Sequence, residues 1–370
     1  MTALARRGHD VTVVIARTPN ARKPRSCVTG GFTMDDIVLA RGRSLLSKGQ
    51  FILFAIFHVA LMGGNADCII MDPHLVPFLL PIVLMRRLTT NSPVLILRVS
   101  TNPVETGGPM TTMIMKFLYQ LSIRLANVFF DKLLFISPML RDYYCDLSHV
   151  PRQKTGIWPS SVDIRVFDPK LSSDQRVKTL KKKLGIGNKP CLIYHGSLSR
   201  GRGVMELLRA MSLLKQEERG NLMLIILGHG EIREEVKRYV RLKGLEDVVI
   251  VPDPVERDEV AEYIAVSDVE VLPMPDHEWW RYQCFLKVLE CLAMNKPMIS
   301  YRLPAVTAIV GDTPVVYWLT GTEASDIAEG ILGYLRNRDS LHPALGRAIA
   351  ERYSVEAIAE NLEANITKRN

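Results

Sequence analysis

The sequence has few of the features that mark membrane-spanning, secreted or disulfide-bonded proteins. Its longest apolar runs, residues 51–62 and 75–85, are shorter than the ~18–20 residues that a membrane span needs. The N-terminal residues MTALARRGHD are polar, so no signal peptide is visible. Six cysteines are scattered without a C-x-x-C pair, which indicates reduced thiols. We therefore expect a cytoplasmic protein.

Several ligand-binding motifs are also missing. Neither G-x-x-x-x-G-K-[ST] nor G-x-G-x-x-G occurs, which disfavours a Walker site and a nicotinamide cofactor. There is no D-x-D, the carboxylate pair that a divalent ion would use. The basic residues are dispersed and no nucleic-acid recognition motif appears. We expect no metal, no cofactor and no nucleic-acid partner.

The positive charge is unevenly distributed along the chain. Residues 1–175 contain 20 Lys and Arg against 12 Asp and Glu, which accounts for the whole net charge of +8. One interpretation is a basic surface that faces an anionic lipid or an anionic acceptor. The other is an ordinary solvated face.

The order of apolar segments predicts the fold class. At 370 residues the chain is too long for one ordinary core. Strands alternate with helices in both halves, which predicts an α/β protein with two Rossmann-like doubly wound domains facing a cleft. We assign residues 1–165 to the N-terminal domain, 166–190 to a charged linker, 191–345 to the second domain, and 346–370 to C-terminal helices that pack back towards the N-domain.

The N-terminal domain begins in the middle of a β-α-β unit. TALARRGHDVTVVIA reads as the end of a helix, a glycine turn and a strand, so we expect the first strand of the sheet to be missing, through a misassigned start codon or a truncation. Residues 18–35 are rich in turn-forming residues and predict a loop.

Three strand-to-helix connections of the second half carry candidate ligand-binding groups. They are GSLSRGRG at 196–203, LGHGE at 227–231, and the stretch from Pro273 to Lys287 and Glu290. Each has a plainer interpretation: a packing turn, solvated arginines, or a Lys–Glu pair on one helix. Because the carboxyl ends of parallel strands share one edge of a sheet, we expect the three connections to converge there.

Taken as a set, these segments resemble retaining group 1 (family four) GT-B glycosyltransferases. GSLSRGRG, GHG, SDVEVLP and FLKVLECLAMNKPMIS occur in the family's order, and SSVDIRVF resembles its hinge. The resemblance implies transfer of a sugar from a nucleotide-diphosphate sugar to an acceptor hydroxyl, with retention of configuration and without a metal. The acceptor would be a glycan or a lipid-linked molecule.

The resemblance also implies roles for individual residues. The catalytic set comprises Arg202 and Lys287, which would neutralise the diphosphate, and Glu290, which would hold the ribose. The remaining donor-binding residues are Gly196, Ser197, Arg200, Gly228, Gly230, Asp253, Tyr282, Phe285 and Leu286. On the acceptor side of the N-domain the candidates are Asp72, His74 and Arg98.

The sequence departs from the family pattern at three places. Tyr282 stands where a sugar-contacting Glu is usual, so a different sugar preference is expected. Ser197 replaces the usual Arg after the first glycine of the loop, and Arg200 is a candidate to compensate. Val99 lies near the place of a His that many members keep.

Two alternatives to a transferase remain open at this point. One is a non-catalytic nucleotide-sugar-binding protein, and the other is a nucleotide-sugar epimerase of GT-B fold. The apolar segments 51–62 and 75–87 are either core helices or part of a peripheral contact with an anionic membrane on its cytoplasmic face.

Overall fold

A computed structural model of the protein describes residues 2–17, 33–38, 45–62, 66–89, 93–102 and 109–367. The chain divides into two compact units. Unit 1 comprises Met1–Pro159 with Glu356–Asn370, and unit 2 comprises Ser160–Val355. Each contains parallel sheet with helices between its strands. The prediction of two Rossmann-like α/β domains is confirmed.

Unit 1 contains two parallel sheets among its described residues. The first pairs β1 (Thr12–Arg17) with β2 (Thr33–Val38). The second has four strands in the order β3-β4-β5-β6: β3 (Cys68–Met71), β4 (Val94–Val99), β5 (Lys132–Phe135) and β6 (Thr155–Ile157).

The prediction of a loop through residue 35 was wrong at its end. Residues 33–35 begin β2, whose six residues pair in register with β1. Adjacent aspartates at 35 and 36 weaken the apolar pattern of this segment, and the hydrogen bonds to a neighbouring strand override it. The rest of the predicted loop, 18–32, lies outside the described residues.

The helices of unit 1 follow the apolar periodicity of the sequence. Helix α5 shows how one begins: the Ser137 hydroxyl accepts a hydrogen bond of 3.2 Å from the amide of Leu140, and Pro138 occupies the first turn. The helices before residue 159 are α1 (Thr2–Arg6), α2 (Leu45–Met62), α3 (Val76–Thr89), α4 (Pro109–Phe129) and α5 (Pro138–Ser148). None of the helices in these or the other described ranges is both long and apolar enough to cross a membrane.

Unit 2 contains a six-stranded parallel sheet in the order β12-β11-β10-β7-β8-β9. Its strands are β7 (Cys191–His195), β8 (Met223–Leu227), β9 (Val249–Ile250), β10 (Val269–Leu272), β11 (Met298–Tyr301) and β12 (Val316–Leu319). The chain moves outward from β7 through β8 to β9, then returns to β10 on the other side of β7. The boundary between β7 and β10 is therefore the point where strand order reverses, and ligands of such sheets bind at the carboxyl end of that boundary.

Unit 2 contains ten α-helices, several of which cover this sheet. The side chains of β7 and β8 are fully or almost fully buried between them, as expected for a parallel sheet with helices on both faces. The helices are α6 (Gln175–Lys183), α7 (Val204–Leu213), α8 (Gln216–Gly220), α9 (Arg233–Leu242), α10 (Arg257–Val266), α11 (Glu278–Arg281), α12 (Leu286–Ala293), α13 (Pro304–Val310), α14 (Ala324–Asn337) and α15 (Gly346–Glu351).

The segment 166–190, which the sequence suggested as a linker, is packed into unit 2. Phe167 and Val177 are buried, and α6 packs against α10. The Arg347 guanidinium donates hydrogen bonds to the carbonyls of Phe167 (2.7 Å) and Ile164 (2.8 Å). The apolar residues between the charges of this segment explain why it is not a free connection.

The C-terminal helices are divided between the units. Helix α15 belongs to unit 2, whereas α16 (Val355–Thr367) lies almost entirely in unit 1. There the Arg7 guanidinium donates two hydrogen bonds, of 2.7 and 2.6 Å, to the Glu363 carboxylate.

Glycine permits close backbone contacts at the carboxyl edge of the unit 2 sheet. A Cβ atom at Gly203 would lie 1.7 Å from the carbonyl oxygen of Pro273, and one at Gly228 would lie 1.8 Å from that of Gly196. Neither position can carry a side chain unless the backbone moves. The connections that follow β7, β8 and β10 are therefore packed backbone against backbone.

We expect Gly203→Ala to lower the free energy of unfolding by about 2–4 kcal/mol, because strain at a positive φ is added to the clash with Pro273. Gly201→Ala is the matched control. Gly201 also has a positive φ, of 80°, but a Cβ there would meet nothing within 4 Å, so we expect a cost of about 1–2 kcal/mol. Urea titration of both variants measures the difference, and equal losses would contradict the backbone contact.

Candidate functional site

The three connections expected to converge do meet at the point where strand order reverses. The amide of Leu198 donates a hydrogen bond of 2.8 Å to the carbonyl of His229, which joins the loops after β7 and β8. The indole Nε1 of Trp280 donates one of 3.1 Å to the carbonyl of Gly201, which joins the loops after β7 and β10. Backbone and side chains of all three loops thus border one region of unit 2.

Lys287 places an ammonium group in this region. It lies in the first turn of α12 and only 7% of the residue is exposed. Its Nζ has no hydrogen-bond partner and lies 4.0 Å from the ring centroid of Tyr194. A Cβ atom on Gly196 would be 3.3 Å from Nζ, so the ammonium is beside the glycine loop. Burial lowers the pKa of Lys287 to about 8, although the charge of Glu270 opposes the shift.

Glu290 lies one turn further along α12 and is also buried. Its Oε2 is 2.9 Å from Nε2 of His195, and its Oε1 is 3.6 Å from a guanidinium nitrogen of Arg257. The alternative of a surface Lys287–Glu290 pair is therefore wrong. Both residues face the sheet edge, and other groups contact Glu290.

His195, the last residue of β7, is held between two carboxylates. Its Nδ1 is 2.9 Å from Oε2 of Glu270 on the neighbouring strand β10, and its amide donates to Oε1 of the same residue at 3.3 Å. Burial disfavours the charged ring, but the charge of Glu270 and hydrogen bonds to both glutamates outweigh it and raise the pKa of His195 to about 9. At neutral pH the imidazolium can then donate to both carboxylates.

Arg202 lies across an aromatic surface in the same region. Its guanidinium carbon is 4.9 Å from the ring centroid of Trp280, and its Nε donates to the Ser199 hydroxyl at 3.2 Å. A cation stacked on indole keeps a fixed orientation and leaves its other N–H groups available for a ligand. Trp280 in turn lies 6.0 Å from Phe285, measured between ring centroids.

The loop before α12 is built from aromatic residues. His277 stacks on Trp279 with ring centroids 3.8 Å apart, and the buried Nε1 of Trp279 has no hydrogen-bond partner. Tyr282 ends the short helix α11 and is half-buried. Phe285 is the buried N-cap of α12, and Leu286 is its first, partly exposed residue.

Three other candidates from the sequence have different surroundings. Arg200 is at the surface, where its guanidinium donates to Glu235 at 3.0 Å. Asp253 is 91% exposed and accepts a hydrogen bond of 2.8 Å from Arg233. The Ser197 hydroxyl lies 3.3 Å from that of Ser199, and its carbonyl accepts from Tyr194 at 2.8 Å. Of these, only Ser197 is next in sequence to Gly196, the residue that lies beside the Lys287 ammonium.

The acceptor-side candidates form a separate cluster in unit 1, after β3 and at the end of β4. Desolvation raises the pKa of Asp72, and the nearby charges of Arg98 and then His74 oppose the shift. The guanidinium carbon of Arg98 lies 4.7 Å from the ring centroid of Trp158, and its buried Nε has no hydrogen-bond partner. The rings of His74 and Tyr119 are 5.3 Å apart. The structure thus brings all three candidates together.

Within the described residues, one group of potential metal ligands is found near this region. Ligand atoms of His195, Glu270 and Cys291 all lie within 4.8 Å of one another. Their chemistry suits hydrogen bonding better, because His195 and Glu270 already bond each other and burial raises the pKa of the Cys291 thiol well above its ordinary value. The five cysteines among the described residues are free thiols, as the sequence predicts.

Sequence reasoning missed His195, Glu270 and Arg257. The signal was present for the first two: His195 immediately precedes Gly196, and Glu270 interrupts the apolar strand VEVLP. A carboxylate on a strand that must be buried on both faces needs a partner. Arg257 opens helix α10, where nothing in the sequence distinguishes it from other helix-end arginines.

Residues 189–337 match the family described as glycosyl transferases group 1. Among curated relatives, the alpha-D-kanosaminyltransferase of Streptomyces kanamyceticus is 24% identical over 204 residues, covering 52% of this chain and 51% of the relative. The D-inositol 3-phosphate glycosyltransferase of Arthrobacter sp. (strain FB24) is 26% identical over 216 residues, covering 57% and 48%. The chain thus spans about half the length of these relatives.

Solved structures share the fold of the whole chain. HepE of Anabaena in complex with UDP and glucose has a TM-score of 0.72 at 13% identity, covering 96% of this chain and 92% of HepE. WaaG, a glycosyltransferase involved in lipopolysaccharide biosynthesis, has a TM-score of 0.72 at 15% identity, covering 100% and 94%. The chain therefore has a GT-B fold, and residues 189–337 form a domain of the glycosyl transferases group 1 family.

Proposed function

We propose that this protein is a retaining glycosyltransferase. It moves a sugar from a nucleotide-diphosphate sugar to a hydroxyl of a glycan or a lipid-linked acceptor, and it does so without a metal. The family match in unit 2 supports transferase chemistry. The donor, the stereochemistry and the metal independence are parts of the proposal that rest on the residues of the site.

The observation that carries the proposal is the unpaired ammonium of Lys287. A buried cation without a hydrogen-bond partner is costly unless a ligand completes its surroundings. Its Nζ lies beside Gly196 and at the start of α12, where backbone amides and the helix dipole also favour an anion. A diphosphate supplies the negative charge that this arrangement lacks.

Other residues define the rest of the donor. Arg202, fixed on Trp280, would contact the same diphosphate, because guanidinium chelates phosphate oxygens. Glu290 would accept hydrogen bonds from the ribose hydroxyls. Tyr282 and Leu286 would border the sugar, and Arg233 with Asp253 would lie towards the base.

The reaction breaks the bond between C1 of the sugar and the diphosphate oxygen, and the diphosphate leaves with the electron pair. The acceptor oxygen forms the new bond to C1 and its proton passes to the released diphosphate. Negative charge grows on the leaving group as the transition state becomes oxocarbenium-like. Lys287, Arg202 and the N-terminus of α12 would stabilise that charge. These cations occupy the role that a divalent ion would otherwise take.

The acceptor-side residues of the proposal belong to unit 1. Asp72, His74 and Arg98 cluster in unit 1 and stay candidates for acceptor contacts. We place the protein in the cytoplasm because its cysteines are scattered and unpaired, and at an anionic membrane surface because the positive charge is concentrated in residues 1–175.

We expect Lys287→Met and Arg202→Ala each to weaken nucleoside diphosphate binding by about tenfold or more, because each removes a charge-assisted contact. Isothermal titration against UDP, GDP, ADP and dTDP measures the effect and identifies the base. Two matched controls should bind normally. Arg209→Ala removes a surface arginine paired with Glu206, and Lys296→Met removes a half-buried lysine bonded to carbonyls. Equal losses in variants and controls would point to general damage.

We expect incubation with a donor panel and cell extract to yield a glycoside with the donor's anomeric configuration, identified by mass spectrometry and NMR. Excess EDTA should change the rate by no more than about twofold, because protein cations neutralise the leaving group. A free, altered sugar would indicate an epimerase, and tight binding without turnover would indicate a binding protein. Loss of activity on chelation would overturn metal independence.

A further inference from the structure

Exposed apolar side chains are concentrated on one part of unit 1. Of the fifteen large hydrophobic side chains exposed among the described residues, twelve belong to helices α2, α3 and α4. Helix α3 packs against both α2 and α4, so the three are neighbours. We call this set the α2–α4 face: Leu53, Phe57, Phe78, Met85, Leu88, Met110, Met113, Ile114, Phe117, Leu118, Leu121 and Val128.

Helix α4 contributes most of the α2–α4 face. Met110, Met113, Phe117 and Leu121 follow a spacing of three or four residues, which places them on one side of a helix. Met110 is 72% exposed, Met113 66% and Phe117 62%. The opposite side of the helix is packed in unit 1, so α4 is apolar on both sides. A solvent-facing apolar stripe of this length marks a surface with a partner.

The fully charged residues on these three helices are all of one sign. Helices α2, α3 and α4 contain no Asp or Glu, and their sequences include five basic residues: Lys48, Arg86, Arg87, Lys116 and Arg124. On α4, Lys116 and Arg124 are exposed beside the apolar side chains. An apolar helix surface flanked by cations favours the interface of an anionic membrane, where acyl chains and headgroups satisfy both parts.

We propose that the α2–α4 face docks the protein on an anionic lipid surface. A second copy of the chain fits less well, because a two-fold dimer would place these helices against themselves. Cations would then meet cations, with no carboxylate on the three helices to neutralise them. The proposal deepens the membrane location given under the proposed function, but it does not depend on the donor chemistry of unit 2.

Vesicle flotation tests the docking face. Wild type should float with vesicles of equal parts phosphatidylcholine and phosphatidylglycerol, and less with phosphatidylcholine alone or in high salt. Met113→Glu/Phe117→Glu should lower the bound fraction by about tenfold or more, because two inserted side chains are lost. The matched control is Leu213→Glu/Leu242→Glu, which changes two leucines of unit 2 that are 61% and 75% exposed and should float like wild type.

Other results of the flotation experiment would assign the α2–α4 face to a different partner, or to no partner. Equal flotation of both double variants, or none by wild type, would overturn the proposal. A wild-type dimer in light scattering that Met113→Glu/Phe117→Glu dissociates, without vesicle binding, would assign the face to a second copy. Nucleoside diphosphate titration of the same variants should be normal, so a failure here is distinguishable from a failure of the proposed donor site.

A second and independent observation concerns the buried acid–base group of unit 2. His195, Glu270 and Glu290 are each at most 6% exposed, and both ring nitrogens of His195 lie 2.9 Å from a carboxylate oxygen. A carboxylate can only accept hydrogen bonds, so both contacts are satisfied when the ring carries two protons. Glu270 thus holds the His195 ring at Nδ1, and the ring in turn holds the Glu290 carboxylate at Nε2.

We infer that His195 is a positioning residue for Glu290, and that Glu270 keeps it in the doubly protonated form. One oxygen of Glu290 is bound to the ring, which leaves the other, near Arg257, for a ligand hydroxyl. The inference rests on the proposed donor site for the identity of that ligand. The charged or titratable groups near the ring are Glu270, Glu290 and Cys291, and Lys287 and Arg257 lie near the two glutamates.

Two probes separate positioning from simple structural support. UDP has a ribose for Glu290 to bind, whereas inorganic pyrophosphate has only the anion for Lys287 and Arg202. We expect Glu270→Gln and Glu290→Gln to weaken UDP binding by about tenfold, and Glu290→Gln to change pyrophosphate binding by less than about twofold. Equal weakening of both ligands, or no effect of Glu270→Gln on UDP, would overturn the role.

Histidine ¹⁵N NMR examines the ring itself. At pH 8, below the His195 pKa of about 9, wild type should show one ring with both nitrogens protonated, and Glu270→Gln should lose it. A neutral His195 in wild type would overturn the inference. If wild type binds neither probe, the proposed donor site fails, and this spectrum still decides the state of the ring.

Discussion

Two carboxylates and an imidazole share a buried space at the carboxyl edge of the unit 2 sheet, and the candidate site depends on that arrangement. Burying charge is costly unless every group has a partner. Here His195 connects Glu270 on β10 with Glu290 on α12, so a strand, its neighbour and a helix are joined by one hydrogen-bonded group. Lys287 differs from its neighbours because its ammonium lies on the Tyr194 ring but has no hydrogen-bond partner. The buried groups that hydrogen-bond each other hold the site together, whereas the buried lysine without a hydrogen bond is the group available to a ligand.

The sequence predicted the fold well because its strongest signals are local. Apolar strands followed by glycine turns and amphipathic helices define the α/β class, and the three loops of unit 2 were expected to converge. Boundaries were less predictable. Strand β2 carries two aspartates and forms through pairing with β1, and the charged segment 166–190 is anchored by Phe167 and Val177. Strand β2 and the packing of segment 166–190 both depend on tertiary contacts, which a local sequence pattern does not predict.

Side-chain environments were the least predictable part. From the sequence, Lys287 and Glu290 could equally have been a surface pair. Their burial in α12 excludes that interpretation. Arg200 and Arg202 are two residues apart in one loop, yet the first pairs with Glu235 at the surface and the second stacks on Trp280. On α4 the apolar residues on both sides gave no indication of which side would be covered. Which way a side chain points depends on the helices, strands and loops packed next to it.

The glycine contacts between the loops of unit 2 have a consequence for how this site can diversify. Gly203 against Pro273 and Gly228 against Gly196 leave no room for a single carbon atom, because the backbones of these loops are in direct contact. Substitution of Gly203 or Gly228 would therefore force the backbones of these loops apart. We expect new ligand preferences to arise from side-chain changes in the aromatic segment His277–Tyr282, except at Trp280, which bonds Gly201 and orients Arg202. The backbone of these loops is constrained, whereas side chains that border the site can change.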